Sequence, residues 1–329
     1  LADRFEARQH SSRRAPLPAR LRGGGATRVA PYFAASAARR AARKRGASRM
    51  AFAYVNGARL WYQITGQGEP VVHIHGAGFG HFNFATATPI ASRYFRCVDF
   101  DLRGYGQSER PLQHYDMRVW ADDVAGLMDA LGLERAHIHG TSMGGMIALV
   151  FAAHHPERVE RLVVNCAAAK LDRAGRLTFR TWIDLVERGG CGSRTLAELV
   201  AVQALSRRFL DGPEGEAAVD MIHDILERSN RKEVFQRACR AMIEMDLRSE
   251  AAKIRAPTLV IGGDEDIMTP WEVGPSGAGQ AWLAANIPGA IRYVIRGSNH
   301  STLFDGTQEN LRVVVNFLRG AEDLGAALA

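Results

Sequence analysis

Little in this chain marks a disulfide-stapled, metal-bound or membrane-spanning protein. Four cysteines occur in 329 residues, Cys97, Cys166, Cys191 and Cys239, with no CxxC pair and no metal-ligand spacing. That excludes a zinc ribbon and a small secreted disulfide scaffold. Cys97 and Cys166 fall in apolar, strand-like runs, where a thiol behaves as a small hydrophobe, so a reducing compartment, the cytoplasm, is the expected setting. No apolar run approaches the ~20 residues of a membrane span, and no secretory hydrophobic segment occurs. No G-x-G-x-x-G turn opens a helix with an acid downstream, so no nucleotide cofactor is expected. Internal repeats are also lacking.

What charge there is sits unevenly. The formal net charge is +7, but residues 1–49 hold 13 Lys and Arg against Asp3 and Glu6, a local +11 that leaves the rest of the chain at −4. A nucleic-acid partner inferred from the overall balance would therefore be an error. The basic segment is rich in Arg, Ala, Ser and Gly and cannot bury enough apolar surface to offset its ordering entropy, so disorder is expected there. It reads as sequence upstream of the working protein, with Met50 standing where the patterned sequence begins. The alternatives are an Arg-rich organelle-targeting segment and a binder of anionic surfaces.

From residue 50 the pattern is regular. "AFAYVNGARLWYQIT" reads as two strands joined at Asn56-Gly57, a strong hairpin signal. "PVVHIHG", "YFRCVDFD", "RAHIHG", "RLVVNCA", "APTLVIGG" and "AIRYVIRG" read as short buried strands. "MRVWADDVAGLMDALG" has helical spacing and Gly132 as its cap. Further helices are expected through about His155, near Gln280–Asn286, and from about Leu303 to Leu318. Strands alternating with helices predict an α/β fold with a mostly parallel central sheet and helices on both faces. Residues 170–250 break the rhythm with three helical stripes and no strand. The expected organisation is a sheet domain over 50–169 and 251–320, a helical cap inserted at 170–250, and a tail at 321–329.

One stretch concentrates the chemistry. Gly140-Thr141-Ser142-Met143-Gly144 matches G-x-S-x-G between a strand and a helix, the context in which a tight turn pushes a serine hydroxyl clear of the sheet. "HIHGAGFGH" follows an earlier strand, where backbone N–H groups can face a developing oxyanion or form an anion-binding nest for phosphate. "IGGDEDIMTP" puts acids after a third strand, and "VIRGSNHST" puts His300 after a fourth. Serine, acid and histidine in that order are far more specific than any one of them.

These motifs, with "DFDLRGYGQS", resemble the α/β-hydrolase family over about residues 52–320, particularly cap-bearing esterases, lactonases and carbon–carbon bond hydrolases. The resemblance implies Ser142 as nucleophile, His300 as general base and Asp266 as the orienting acid, with Asp264 and Glu265 in reserve. It also implies an oxyanion hole from the N–H groups of Ala77 and Met143. Its implied activity is hydrolysis of a carboxylic ester or lactone of a small, largely apolar substrate, without a cofactor. Other chemistry on the same fold (carbon–carbon cleavage, a lyase reaction, cofactor-free oxygenation) and a non-catalytic ligand binder are the alternatives. Asp101, Arg103 and Ser108 are expected to hold loops together. His73, His75, His137 and His139 lie on adjacent strands and admit a metal site, although satisfied, partly buried imidazoles are the expected reading. Phe179, Trp182, Met221, Met242 and Met245 in the insertion belong either to its core or to an apolar pocket wall. Arg180 and His223 are its candidate polar contacts. The sequence leaves the oligomeric state open.

Overall fold

The computed structural model describes residues 49–328. The basic segment expected to be disordered therefore lies, except for Arg49, outside the described residues.

An eight-stranded sheet organises the chain in the order β1-β2-β4-β3-β5-β6-β7-β8. Its strands are β1 Arg49–Val55, β2 Ala58–Thr65, β3 Pro70–Ile74, β4 Arg96–Phe100, β5 Ala136–Thr141, β6 Val159–Asn165, β7 Thr258–Gly263 and β8 Ile291–Ile295. The first two form an antiparallel hairpin, β2 pairs antiparallel with β4, and every later pairing is parallel. Asn56 and Gly57 both have positive φ, 48° and 77°, as a two-residue turn matching the strand twist requires.

Period-two alternation sends side chains to opposite faces. Val72, Ile74, Ile138, Leu162, Val164 and Val260 join one core with the helices Met117–Ala130 and Met143–His154. Val71, Cys97, Val163, Leu259 and Ile261 join a second core with the helix Thr307–Leu318. Each large side chain buried this way contributes roughly 1.5–3 kcal/mol against its exposed state. Met117–Ala130 is capped by the Asp116 carboxylate, which accepts the Val119 N–H at 2.8 Å. It ends before Gly132, whose φ of 64° suits the left-handed closing position.

Between β6 and β7 the chain is helical. Arg173–Gly189, Arg194–Ala204, Gly215–Ser229 and Lys232–Glu244 are the main helices. The first and last of these pack through Trp182 stacked on Phe235, with centroids 6.0 Å apart.

The final helix starts at Thr307 rather than near Leu303. The carbonyl of Leu303 instead accepts the hydroxyls of Thr86 (2.7 Å) and Thr307 (2.8 Å), and Asp305 turns away to accept the N–H groups of Ser206 and Asn299. Beyond that helix the chain folds back, and the Asn316 amide donates to the carbonyls of Leu324 and Ala326.

Candidate active site

Strand β5 runs into the helix Met143–His154 through one residue, Ser142, with φ 56° and ψ −122°. A non-glycine residue there stores roughly 1–3 kcal/mol of strain. The neighbouring glycines make the turn possible. A Cβ on Gly140 would lie 2.2 Å from the Gly144 carbonyl oxygen, and one on Gly144 would lie 2.0 Å from the Ile74 carbonyl oxygen. The Ser142 N–H is held by the Asn165 carbonyl at 2.9 Å. So fixed, the Ser142 Oγ sits 2.9 Å from His300 Nε2.

His300 Nδ1 lies 3.1 Å from both carboxylate oxygens of Asp266. Both side chains are over nine-tenths buried. Asp266 Oδ1 also accepts the N–H groups of Met268 and Thr269, each at 2.9 Å, while Oδ2 accepts the Gln280 amide and the Thr269 hydroxyl, each at 3.0 Å. Burial alone would push this carboxyl up. The facing His300 and the two N–H donors outweigh it and hold the group below its ordinary range.

The loop after β3 closes over the serine. A Cβ on Gly76 would come within 3.1 Å of Ser142 Cβ, and the Gly76 N–H donates to Asn83 Oδ1 at 2.7 Å. The N–H of Ala77 meets no acceptor among the described residues, and that of Met143 opens its helix, where N–H groups lack an intrahelical partner.

His75 anchors the same loop. Its Nε2 must be the acceptor, because the Leu102 N–H at 2.9 Å can only donate, so Nδ1 carries the proton to the Gly76 carbonyl at 2.8 Å. Burial lowers this imidazole from its ordinary 6.5 to about 4, against a smaller opposing pull from Asp101. Between those values the unfolded chain binds a proton that the folded chain does not. The stability tied to His75 is therefore complete above pH 6.5 and is lost as pH falls towards 4, on the order of 3 kcal/mol in all. His75→Gln is expected to flatten the decline of urea midpoint over that window; an unchanged slope would assign the decline to other groups.

Above the hydroxyl lies a cavity of about 30 Å³, room for about two waters. Phe179, Trp182, Val200 and Ala204 wall it from the helical insertion, and Met268 and Phe304 line it as well. Three hydrogen bonds tie this wall to the loop carrying His300. Ser301 N–H donates to the Ala204 carbonyl (2.7 Å), the Asn299 amide to the Leu205 carbonyl (3.1 Å), and Ser206 N–H to Asp305 (2.8 Å).

A family model described as α/β hydrolase fold matches residues 69–190. Over 222 residues the chain is 32% identical to the AB hydrolase superfamily protein YisY of Bacillus subtilis, covering 65% of this chain and 80% of that one. The chain belongs to the α/β-hydrolase family. It is also 30% identical over 283 residues to a 2-hydroxymuconate semialdehyde hydrolase of Pseudomonas putida, covering 82% and 93% of the two chains. Its structure is similar to the enol-lactonase of Burkholderia xenovorans LB400, with a TM-score of 0.74 at 28% identity over 82% of this chain and 100% of that one.

In this α/β hydrolase the "DLRGYGQS" residues serve the loops. Buried Asp101 accepts the N–H groups of His81 and Gln107, and Arg103 forms a bidentate pair with Asp123 and donates to the Asn56 carbonyl. The four strand histidines are not all satisfied as expected: His137 Nδ1 and His139 Nε2 are buried with no hydrogen-bond partner among the described residues. His73 pairs with Asp99 at 2.8 Å, His137 meets Glu69, and His139 stands edge-on to His73 and Phe84. The Cys166 thiol does approach Asp266 and His300, all within 4.8 Å. Burial and the Asp266 charge push that thiol well up, and a protonated thiol is a poor metal ligand.

Of the five apolar residues singled out in the insertion, Phe179 and Trp182 reach the cavity, whereas Met242 and Met245 are core and Met221 packs against it. Arg180 is exposed, and His223 is spent on the Gly192 carbonyl at 2.9 Å. Neither lines the cavity.

Sequence reasoning missed Asn83, Asn165, Thr269 and Gln280. The amide of Gln280 fits because Gly262 has no Cβ; one there would lie 2.0 Å from Gln280 Oε1. The glycine pair before Asp264 was the available signal, but nothing local says which distant side chain needs the space.

Proposed function

We propose that the protein is a serine hydrolase that cleaves a small carboxylic ester or lactone through an acyl-enzyme. The observation carrying this reading is the continuous relay from Ser142 Oγ through the His300 ring to Asp266, at 2.9 Å and 3.1 Å, beneath a largely apolar cavity. Ser142 attacks the carbonyl carbon as His300 Nε2 takes its proton. Asp266 holds the ring with its other nitrogen protonated and stabilises the cation that forms. The new oxyanion turns towards the N–H groups of Ala77 and Met143, and removing one such donor costs roughly 3 kcal/mol of transition-state stabilisation in measured cases. The alcohol leaves with the proton, and water activated by His300 releases the acyl group. In this reading residues 170–250 act as a cap over the sheet domain. The partner is a small molecule, and the place of action is the cytoplasm, in keeping with four free, buried cysteines. Among the described residues no helix is long and apolar enough to cross a membrane.

Similarity to the 2-hydroxymuconate semialdehyde hydrolase favours a second reading, in which the same residues act on a carbon–carbon bond. Incubation with short acyl esters, lactones and a vinylogous diketone, followed by intact-mass measurement after acid quench, tests both. An adduct of acyl mass on the peptide containing Ser142 is expected from an ester or lactone. Turnover of the diketone alone would favour the second reading.

A further inference from the structure

We propose that the part of the substrate entering the cavity is uncharged, an acyl or ring group bearing neither carboxylate nor phosphate. The inference rests on the serine-hydrolase reading and narrows its substrate class.

Among the described residues, none lining the cavity is Lys, Arg, Asp or Glu. Its polar side chains, apart from Ser142 and His300, are the neutral Asn83, Thr141 and Ser301. An anion brought in would lose its water and find no opposite charge, the costliest form of burial. His300 offers no relief, because its Nδ1 already faces Asp266, and that carboxylate repels a second anion across a poorly screened interior. Positive field does exist at the start of the helix Met143–His154. In the proposed mechanism the Met143 N–H that opens this helix is taken, with the Ala77 N–H of the loop after β3, by the reacting carbonyl oxygen, so a further carboxylate on the same acyl group has no claim on it.

Two arginines of the helical insertion do not line the cavity either. Arg194 is tied to Glu198, Glu216 and Asp220 at the surface, and Arg208 lies beside Gly297 rather than on the cavity wall. Because three hydrogen bonds hold the Ala204–Ser206 segment against the loop carrying His300, admitting a substrate at that junction would disturb the relay. Room has to come from Phe179, Trp182 and Phe304, side chains that again offer no charge.

Three p-nitrophenyl esters matched in size separate charge from bulk and polarity: 4-methylpentanoate, succinamate and succinate. At pH 8 the succinate ester is expected to show kcat/KM at least about 100-fold below the 4-methylpentanoate ester, as an unpaired buried carboxylate requires. The neutral succinamate ester should fall between them, and the gap should narrow as pH drops towards the carboxyl pKa. Succinate turned over within threefold of 4-methylpentanoate would overturn the proposal, as would equal loss with succinamate and succinate, since polarity and not charge would then decide. If neither these esters nor a lactone reacts, the serine-hydrolase reading fails by itself. Calorimetric binding of 4-methylpentanamide and of the succinamate anion then decides the charge question, with at least tenfold tighter amide binding expected and equal affinities overturning it.

Discussion

Replacing Ser142 by alanine is expected to lower kcat/KM for the best ester by roughly 10⁴ or more. The effect is this large because in the proposed mechanism the Oγ is the atom that bonds to the carbonyl carbon; without it only the N–H groups and the binding surface remain. Folding should be spared. The turn is held by backbone contacts, the Ser142 N–H to the Asn165 carbonyl and the Met146 N–H to the Ser142 carbonyl, and alanine meets the same positive φ as serine. Activity assays paired with thermal melts check both parts. A variant within tenfold of the parent enzyme would remove Ser142 from the nucleophile's role.

The second large effect separates two acids two residues apart. Asp266→Asn is expected to reduce kcat by roughly 10³–10⁴ with little change in KM, and Asp264→Asn to change it less than threefold. The carboxylate of Asp266 accepts from every side: Met268 and Thr269 N–H on Oδ1, Gln280 on Oδ2, and His300 across both. An amide cannot do this. With its oxygen kept by the two backbone donors, its NH₂ faces Gln280 and the His300 Nδ1–H, a donor set against donors. The imidazole then favours the tautomer that cannot take the serine proton, and the clash should also cost about 1–3 kcal/mol of stability. Asp264, by contrast, caps a turn, accepting the Gly297 N–H at 2.6 Å and pairing with exposed Arg296. Kinetics on the two variants, with urea melts alongside, tests the assignment. The opposite ranking would move the acid to residue 264.

How much of this was legible in the sequence depended on how local the physics is. The Asn56-Gly57 turn, the glycines around Ser142 and the cap at Gly132 follow from backbone conformations that few residues adopt, so their residue types speak for themselves. The alternation of Val71, Val72 and Ile74 between two cores follows from the strand period. The insertion shows the limit. Trp182 and Met242 both lie on apolar helical stripes, and both are buried, yet Trp182 lines the cavity and Met242 belongs to the core alone. Periodicity says which side of a helix is covered, not what covers it. Val200 and Ala204 went unremarked as cavity wall for the same reason. His223 read as a candidate substrate contact and serves a turn carbonyl instead, because a lone imidazole carries no record of its partner.

By itself the sequence settled where most strands and turns fall, that serine, acid and histidine each follow a different strand in that order, and which resemblance the chain carries. These are properties of short segments, where glycine spacing, apolar period and residue order act within a few ångströms of the backbone. Only the tertiary structure decided that Asn165 holds the Ser142 N–H, that Gln280 and Thr269 surround Asp266, and that the cavity is small and without charge. Those outcomes depend on groups from a few to more than a hundred residues apart meeting in one place. The free energy of such a meeting lies in packing and desolvation, which no local pattern records.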